Sequence, residues 1–459
     1  MATVVNRIAP RDPEMFGAAE DRGQLEQVPR RSAPLRLLLQ QLRSAPFERM
    51  RRHTWLAAIL GMLLSARAPA GLSMASTARP TAELCQAMAN FTVHDGPKRL
   101  WARGSSNDVL TWYSSSAMPQ LGAVEVARVY PSTAAPTLRW ATALLDEWLR
   151  PGQPAAEGIA GTPWNHWCDQ NGVPPTVFVA VGRGTKSDRA AILAFANQTR
   201  TYPALGKVAG AAQLPDGAVA RSTSGGWRVA LPRGNKTVIT WPDDCFMCTA
   251  MLSHAAPVVG PVLGPQLLEE AARRLLAVIE SGQRDRSDGL LWHGFDAASG
   301  AHSCCKWGDG NGWMIMAMAD ALKGFQLSNH TASHSYTRLL EAFREFSAAW
   351  LRVQRPSGMW TVLLDEPDTF ECSSATGFVL YSLATGVQIG ALGGDEIKSA
   401  ISRGWQALAS SFVQPDGSVA VRNAFLVPIL YPKRIILSRQ ARDEHMENSK
   451  RNIVCVGPV

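Results

Sequence analysis

The sequence predicts an all-α protein, and three observations carry that expectation. Apolar residues recur at three- and four-residue spacing in a succession of segments, clusters of Gly, Pro, Asp and Ser divide those segments, and sustained strand-like alternation is nearly absent. With 459 residues, 46% of them hydrophobic and 18% charged, the chain can bury a large core.

The amino end stands outside this pattern. Residues 1–49 are rich in Arg, Pro and Glu, hold one short amphipathic stretch, LRLLLQQLRS, and are expected to form a disordered basic segment. From Met50 the chain reads MRRHTWLAAILGMLLSARAPAG, with a basic start, an apolar run from Thr54 to Ala66, and small residues at Ala68 and Ala70. Over residues 50–70 this is the layout of a secretory signal, and the run is short for a stable membrane span. A buried core helix is the competing reading, and a genuine signal would make residues 1–49 a misplaced start. Four glycosylation sequons, at Asn90, Asn197, Asn235 and Asn329, among only twelve asparagines agree with export. The expected location is secreted or extracellular, where disulfides are permitted.

The net charge of +8 suggests an anionic partner until it is located. Residues 1–53 carry ten basic against six acidic side chains (+4) and residues 433–459 six against three (+3), which leaves about +1 for everything between. A nucleic-acid binder would place its cations on a folded face with stacking aromatics among them. No such stripe is present, so nucleic acid is not an expected partner.

The cysteines raise a zinc reading, with Cys245-x-x-Cys248 facing Cys304 and Cys305. Adjacent cysteines seldom aim both thiolates at one tetrahedral centre, and the usual second Cys-x-x-Cys or His spacing is missing. Buried thiols with one or two disulfides are expected instead.

The helical segments run LRWATALLDEWLR, PQLLEEAARRLLAVIESG, WMIMAMADALKGF, YTRLLEAFREFSAAWLRVQ, ATGFVLYSLATGVQIGAL and DEIKSAISRGWQALASSFV, starting from about residue 136. RVALPRGNKTVITW is the one stretch that reads as short strands. Paired helices of this length suit an open solenoid or a solenoid closed into an α/α barrel, and the lack of a 34- or 40-residue repeat signature argues against the open form.

The loops between helices are richer than turns require. GLLWHGFDAASG, KWGDGNGW and SGMWTVLLDEPDTFECSSATG concentrate Trp, His, Asp, Glu and Gly. Indole faces stack on sugar rings, carboxylates and imidazoles bind hydroxyls, and Gly lets backbone approach a ligand. Sites are commonly placed on such loops, although any one Trp could equally fill the core and any one Gly could stop a helix.

In order, WPDDCFM, GLLWHGFD, WGDGNGW and SGMWTVLLDEPDTFECSSATGFVLYSLATG resemble the unsaturated rhamnogalacturonyl hydrolases, glycoside hydrolase family 105, which sits close to the unsaturated glucuronyl hydrolases of family 88. The likeness covers residues 238–418, with a looser match back to about residue 136. It implies a six-hairpin (α/α)6 barrel over residues 75–432, whose last hairpin is incomplete or completed by an atypical tail at 433–459. It also implies a monomer acting on an oligosaccharide that ends in a 4,5-unsaturated uronic acid. The chemistry implied is protonation of C4, addition of water at C5 and rearrangement of the hemiketal, with no metal or organic cofactor.

The same resemblance distributes roles. The acid/base of the W-x-D motif falls on Asp243, with Trp241 as a pocket wall. A donor of protons to carbon must keep its proton near working pH, which burial against indole and a second carboxylate would promote. Asp244 is that neighbour or else the cap of the following helix. Asp169, in CDQNGVPP, matches a second aspartate that would orient water or share the proton. His293 matches a pocket histidine, Trp313 a stacking tryptophan, and Asn311 joins them as a substrate-binding position. Where the family commonly shows R-G-N-G-W, this chain has Asp309, which removes a cation suited to a uronate; Lys306 is the expected substitute. After QPDGSVAV the carboxyl end also departs from the family. A binding protein without turnover and a glucuronyl hydrolase of glycosaminoglycan fragments are the alternatives.

Overall fold

A computed structural model describes residues 114–129, 131–151, 172–201, 211–213, 216–222, 238–303 and 305–412. The signal-like segment, Asn90, Asp169, Asn235, the disordered-segment expectation for 1–49 and the tail at 433–459 fall outside these residues.

The helices pair into hairpins. In chain order these are α1 (Ser114–Val129) with α2 (Pro131–Trp148), α3 (Thr176–Val181) with α4 (Lys186–Thr201), and α5 (Pro242–Met247) plus α6 (Ala250–Ala255) with α7 (Leu263–Ile279). Next come α8 (Gly308–Leu327) with α9 (His334–Arg352) and α10 (Ser373–Gln388) with α11 (Asp395–Phe412). The leading members form an inner row: α1 packs on α3, α3 on α6, α5 and α6 on α8, and α8 on α10.

Sequence explains which helix goes inside. In α8 every residue from Gly308 to Leu322 is buried, and in α10 every residue from Ser373 to Gly386, as suits helices that are apolar or small on all sides. By contrast α9 buries Leu339, Ala342, Phe343, Phe346, Ala349 and Trp350, a single stripe, and turns its charged residues outward. The Ser333 hydroxyl caps α9 by accepting from the Ser335 N–H.

Two helix starts differ from the expectation. The segment GDGNG, read above as loop, is the first turn of α8. Its glycines serve close packing: a Cβ on Gly312 would lie 2.7 Å from Phe378 Cδ2, so only Gly lets α8 approach α10 this closely. Helix α1 begins well before residue 136, in a segment whose periodicity is interrupted by Pro119 and Gly122.

A small antiparallel sheet adds β1 (Ala211–Gln213), β2 (Val219–Ser222), β3 (Val238–Thr240), β4 (Phe295–Asp296) and β5 (Ala301–His302), in that order. Only β3 lies in the stretch that sequence marked as strand. The others are too short to show alternation. Among the described residues no helix is long and apolar enough to cross a membrane.

Candidate active site

The site begins with β3. Its last residue, Thr240, pairs with Phe295 of β4, and Ile239 pairs with Asp296. Just past β3, Trp241 is extended (φ −129°, ψ 135°) and Pro242 opens α5, so Asp243 and Asp244 fall in the first helical turn, where carboxylates complement the helix dipole. Two residues before β4 stands His293. The β3–β4 register therefore carries Asp243 and His293 to one place from positions fifty residues apart.

There Asp243 Oδ2 faces His293 Nε2 at 3.5 Å. Both atoms are shielded from solvent and neither has a hydrogen-bond partner among the described residues. The Trp241 indole meets the imidazole edge-on, with centroids 4.6 Å apart, and the Trp307 indole lies on it at 4.6 Å and 58°. Gly310 forms the floor: a Cβ there would be 3.3 Å from His293 Cδ2 and 3.4 Å from both Asp243 Oδ2 and Trp307 Cε3. The result is a carboxyl and an imidazole enclosed by two indoles, able to hold or pass a proton.

Other expected residues have different places. Asp244 is 2% exposed against 16% for the Asp243 side chain, because successive helical residues point about 100° apart and only one can face the opening. Trp313 is 5% exposed and packs between Phe246 (5.1 Å) and Phe378 (4.2 Å), so it is a core aromatic rather than a stacking wall. The tryptophan of this motif that lies against His293 is Trp307, which the sequence reading had not singled out.

Asn311 is fully buried and binds backbone. Its Oδ1 accepts from the Leu291 N–H at 2.7 Å, and its amide donates to the carbonyls of Leu291 (2.9 Å) and Trp307 (3.0 Å). It ties the loop of His293 to the start of α8 and is enclosed by the fold. The His293 N–H donates to the Cys305 carbonyl at 3.1 Å, a second tie along the same edge.

Lys306 does not substitute for the missing cation. Its ammonium lies 2.6 Å from Asp285 Oδ2 and 2.5 Å from Asp288 Oδ2, and 4.4 Å over the Trp292 ring. Burial alone would lower its pKa, but the two carboxylates outweigh that and hold it above the usual lysine value. Asp285 is correspondingly held well below the carboxylate range, first by the hydrogen bond from Lys306.

The charge reversal at Asp309 is absorbed inside the fold. Its carboxyl is 4% exposed and turns to the start of α10, where the Ser374 hydroxyl lies 2.9 Å from both oxygens and the Cys372 thiol lies 3.4 Å from Oδ1. The Ala375 N–H also donates to it. Burial, with a smaller contribution from the charge of Asp243, pushes the acid up to about 7 against these donors.

The Cys-x-x-Cys pair divides: Cys245 is a buried thiol, pushed well up by desolvation, and Cys248 is disulfide-bonded. They do not act together as two thiolate ligands.

The profile of Glycosyl Hydrolase Family 88 matches residues 218–428. The unsaturated 3S-rhamnoglycuronyl hydrolase of Alteromonas sp. (strain LOR) is 27% identical over 184 residues, 39% of this chain and 42% of that protein. The unsaturated rhamnogalacturonyl hydrolase YesR of Bacillus subtilis (strain 168) is 26% identical over 155 residues, 33% of this chain and 44% of the relative. The chain thus spans less than half the length of either relative. A solved family 105 glycoside hydrolase from C. acetobutylicum ATCC 824 superposes with a TM-score of 0.54 at 16% identity, covering 72% of this chain and 85% of that one. At that identity the likeness concerns the fold, the (α/α)6 barrel. Residues 218–428 thus match the family 88 glycoside hydrolases in sequence, and the fold is that of the family 105 structure, the group to which the four ordered motifs pointed.

Proposed function

We propose that this protein is a glycoside hydrolase that removes a 4,5-unsaturated uronic acid from the non-reducing end of rhamnogalacturonan oligosaccharides. The observation that carries the reading is the Asp243 carboxyl facing His293 at 3.5 Å between two indoles, within the region that matches the family. In this reading Asp243 gives its proton to C4 of the enol ether, leaving cationic character at C5. Water attacks C5 and returns a proton to the Asp243 carboxylate, so the acid is regenerated and one water is consumed. The hemiketal at C5 opens to a ketone, which frees C1 as a hemiacetal that expels the remaining chain as an alcohol. His293 orients the carboxyl, and Trp241 and Trp307 exclude water from the pair.

Export belongs to the same reading. It is supported by the sequon at Asn329, which is exposed just past α8 with φ of 53°, a conformation Asn tolerates well. The test is loss of the ultraviolet absorbance of the double bond when the protein meets a lyase-treated rhamnogalacturonan, with lyase-treated glycosaminoglycan as the comparison substrate. Faster loss on the glycosaminoglycan would move the substrate to glucuronyl chains. Binding of both without loss would identify a carbohydrate-binding protein instead.

A further inference from the structure

Asp309 is a buried carboxyl beside the site that the reaction above does not use. The groups around it are well defined. From α10 and its cap come the Ser374 hydroxyl, the Cys372 thiol and the Ala375 N–H; from α5 comes Asp243, with Asp244 buried next to it. A Cβ placed on its chain neighbour Gly310 would lie 3.4 Å from Asp243 Oδ2 and 3.3 Å from His293 Cδ2. Lys306, just ahead of α8, is occupied by Asp285 and Asp288. No lysine or arginine among the described residues is bonded to Asp309 or Asp243, so an ionised Asp309 would add an uncompensated charge behind the opening.

We propose that Asp309 is a specificity-determining residue that acts as a charge gate: as the neutral acid, buried beside Asp243 with no cation among the described residues bonded to it, it lets the site accept a sugar carboxylate, and as the anion, to which Ser374 and Cys372 donate, it repels one. This rests on the proposed uronide substrate. The physical basis is that two like charges near one another in a desolvated pocket interact far more strongly than in water. Burial places the ionisation of Asp309 at about 7, so the gate closes across neutrality. A neutral sugar should not feel it.

The experiment measures KM for the unsaturated disaccharide at pH 6 and pH 8. In the unaltered protein KM rises roughly tenfold, the change in neutral fraction of a group titrating near 7. In Asp309→Asn, which keeps the shape without the charge, KM is flat over the same range. Equal rises in both proteins overturn the proposal. Should Asp309→Asn fail to fold, binding of D-glucuronate to the unaltered protein decides the matter by calorimetry. Weakening from pH 6 to pH 8 for glucuronate but not for its methyl ester supports the gate, and parallel behaviour of the two overturns it. Because this measurement needs no turnover, it also separates failure of the gate from failure of the proposed reaction.

Discussion

His293 Nε2 and Asp243 Oδ2 face each other at 3.5 Å, both shielded from water, although fifty residues of chain separate them. The contact is made by strand pairing: β3 runs into Asp243 and its partner β4 follows His293. An acid and an imidazole held in this way can trade a proton with a bound molecule without competition from bulk water.

Asp243→Asn removes the proton while keeping the shape. Turnover of the unsaturated disaccharide is expected to fall by at least about 10³-fold, within the usual range for a lost general acid, while calorimetric binding persists. Retained turnover would place the acid elsewhere.

Gly310→Ala inserts a methyl group 3.3–3.4 Å from His293, Asp243 and Trp307 at once. Those contacts are tight but not prohibitive, so the expectation is a drop in kcat of about ten- to a hundredfold from a small misplacement of the pair, with a Tm close to that of the unaltered protein. A large fall in Tm with normal kcat per folded molecule would mean that the floor is structural only.

Asn311→Ala takes away one acceptor and two donor contacts in a fully buried setting. A loss of roughly 2–4 kcal/mol in urea unfolding is expected, because the buried N–H and carbonyl of Leu291 lose their partner, while the Trp307 carbonyl keeps the backbone N–H of residue 311. Activity should fall as well, since the loop that holds His293 is then untied. If Asn311 touched substrate instead, KM would change and stability would not.

Lys306→Met leaves Asp285 and Asp288 without their shared cation. The lysine side chain is 4% exposed but its partners are partly open to water, so the expected destabilisation is modest, roughly 1–3 kcal/mol. KM for an acidic substrate should not change, because the ammonium is already committed. A tenfold rise in KM with unchanged stability would restore Lys306 as the anchor of the substrate carboxylate.

Asp309 also predicts a pH dependence of stability that needs no substrate. Burial raises its folded pKa to about 7, above the unfolded value of roughly 3.9. The folded state therefore binds the proton more tightly, and this contribution is complete below about pH 4 and is lost as pH rises through 7. Unfolding by urea from pH 4 to pH 8 should show the unaltered protein losing stability relative to Asp309→Asn across that window, on the order of 4 kcal/mol at most. A constant difference between the two would show that Asp309 is ionised throughout.

What the sequence by itself determined was the helical class, six of the main helices and the order of four motifs, because a 3.6-residue apolar period and the residues that interrupt it are local properties. WPDD was legible as a candidate site for the same reason, being contiguous. Tertiary structure decided which members of each motif face outward. Trp313 and Trp307 share one motif, yet helix packing puts the first between Phe246 and Phe378 and the second against His293. Asn311 looked like a ligand-binding residue and became a backbone tie, and Asp309 reached Ser374 across an inter-helix gap kept narrow by Gly308 and Gly312. Those outcomes depend on the rotation of a helix about its axis and on the pairing of strands two or three residues long, neither of which a linear pattern records.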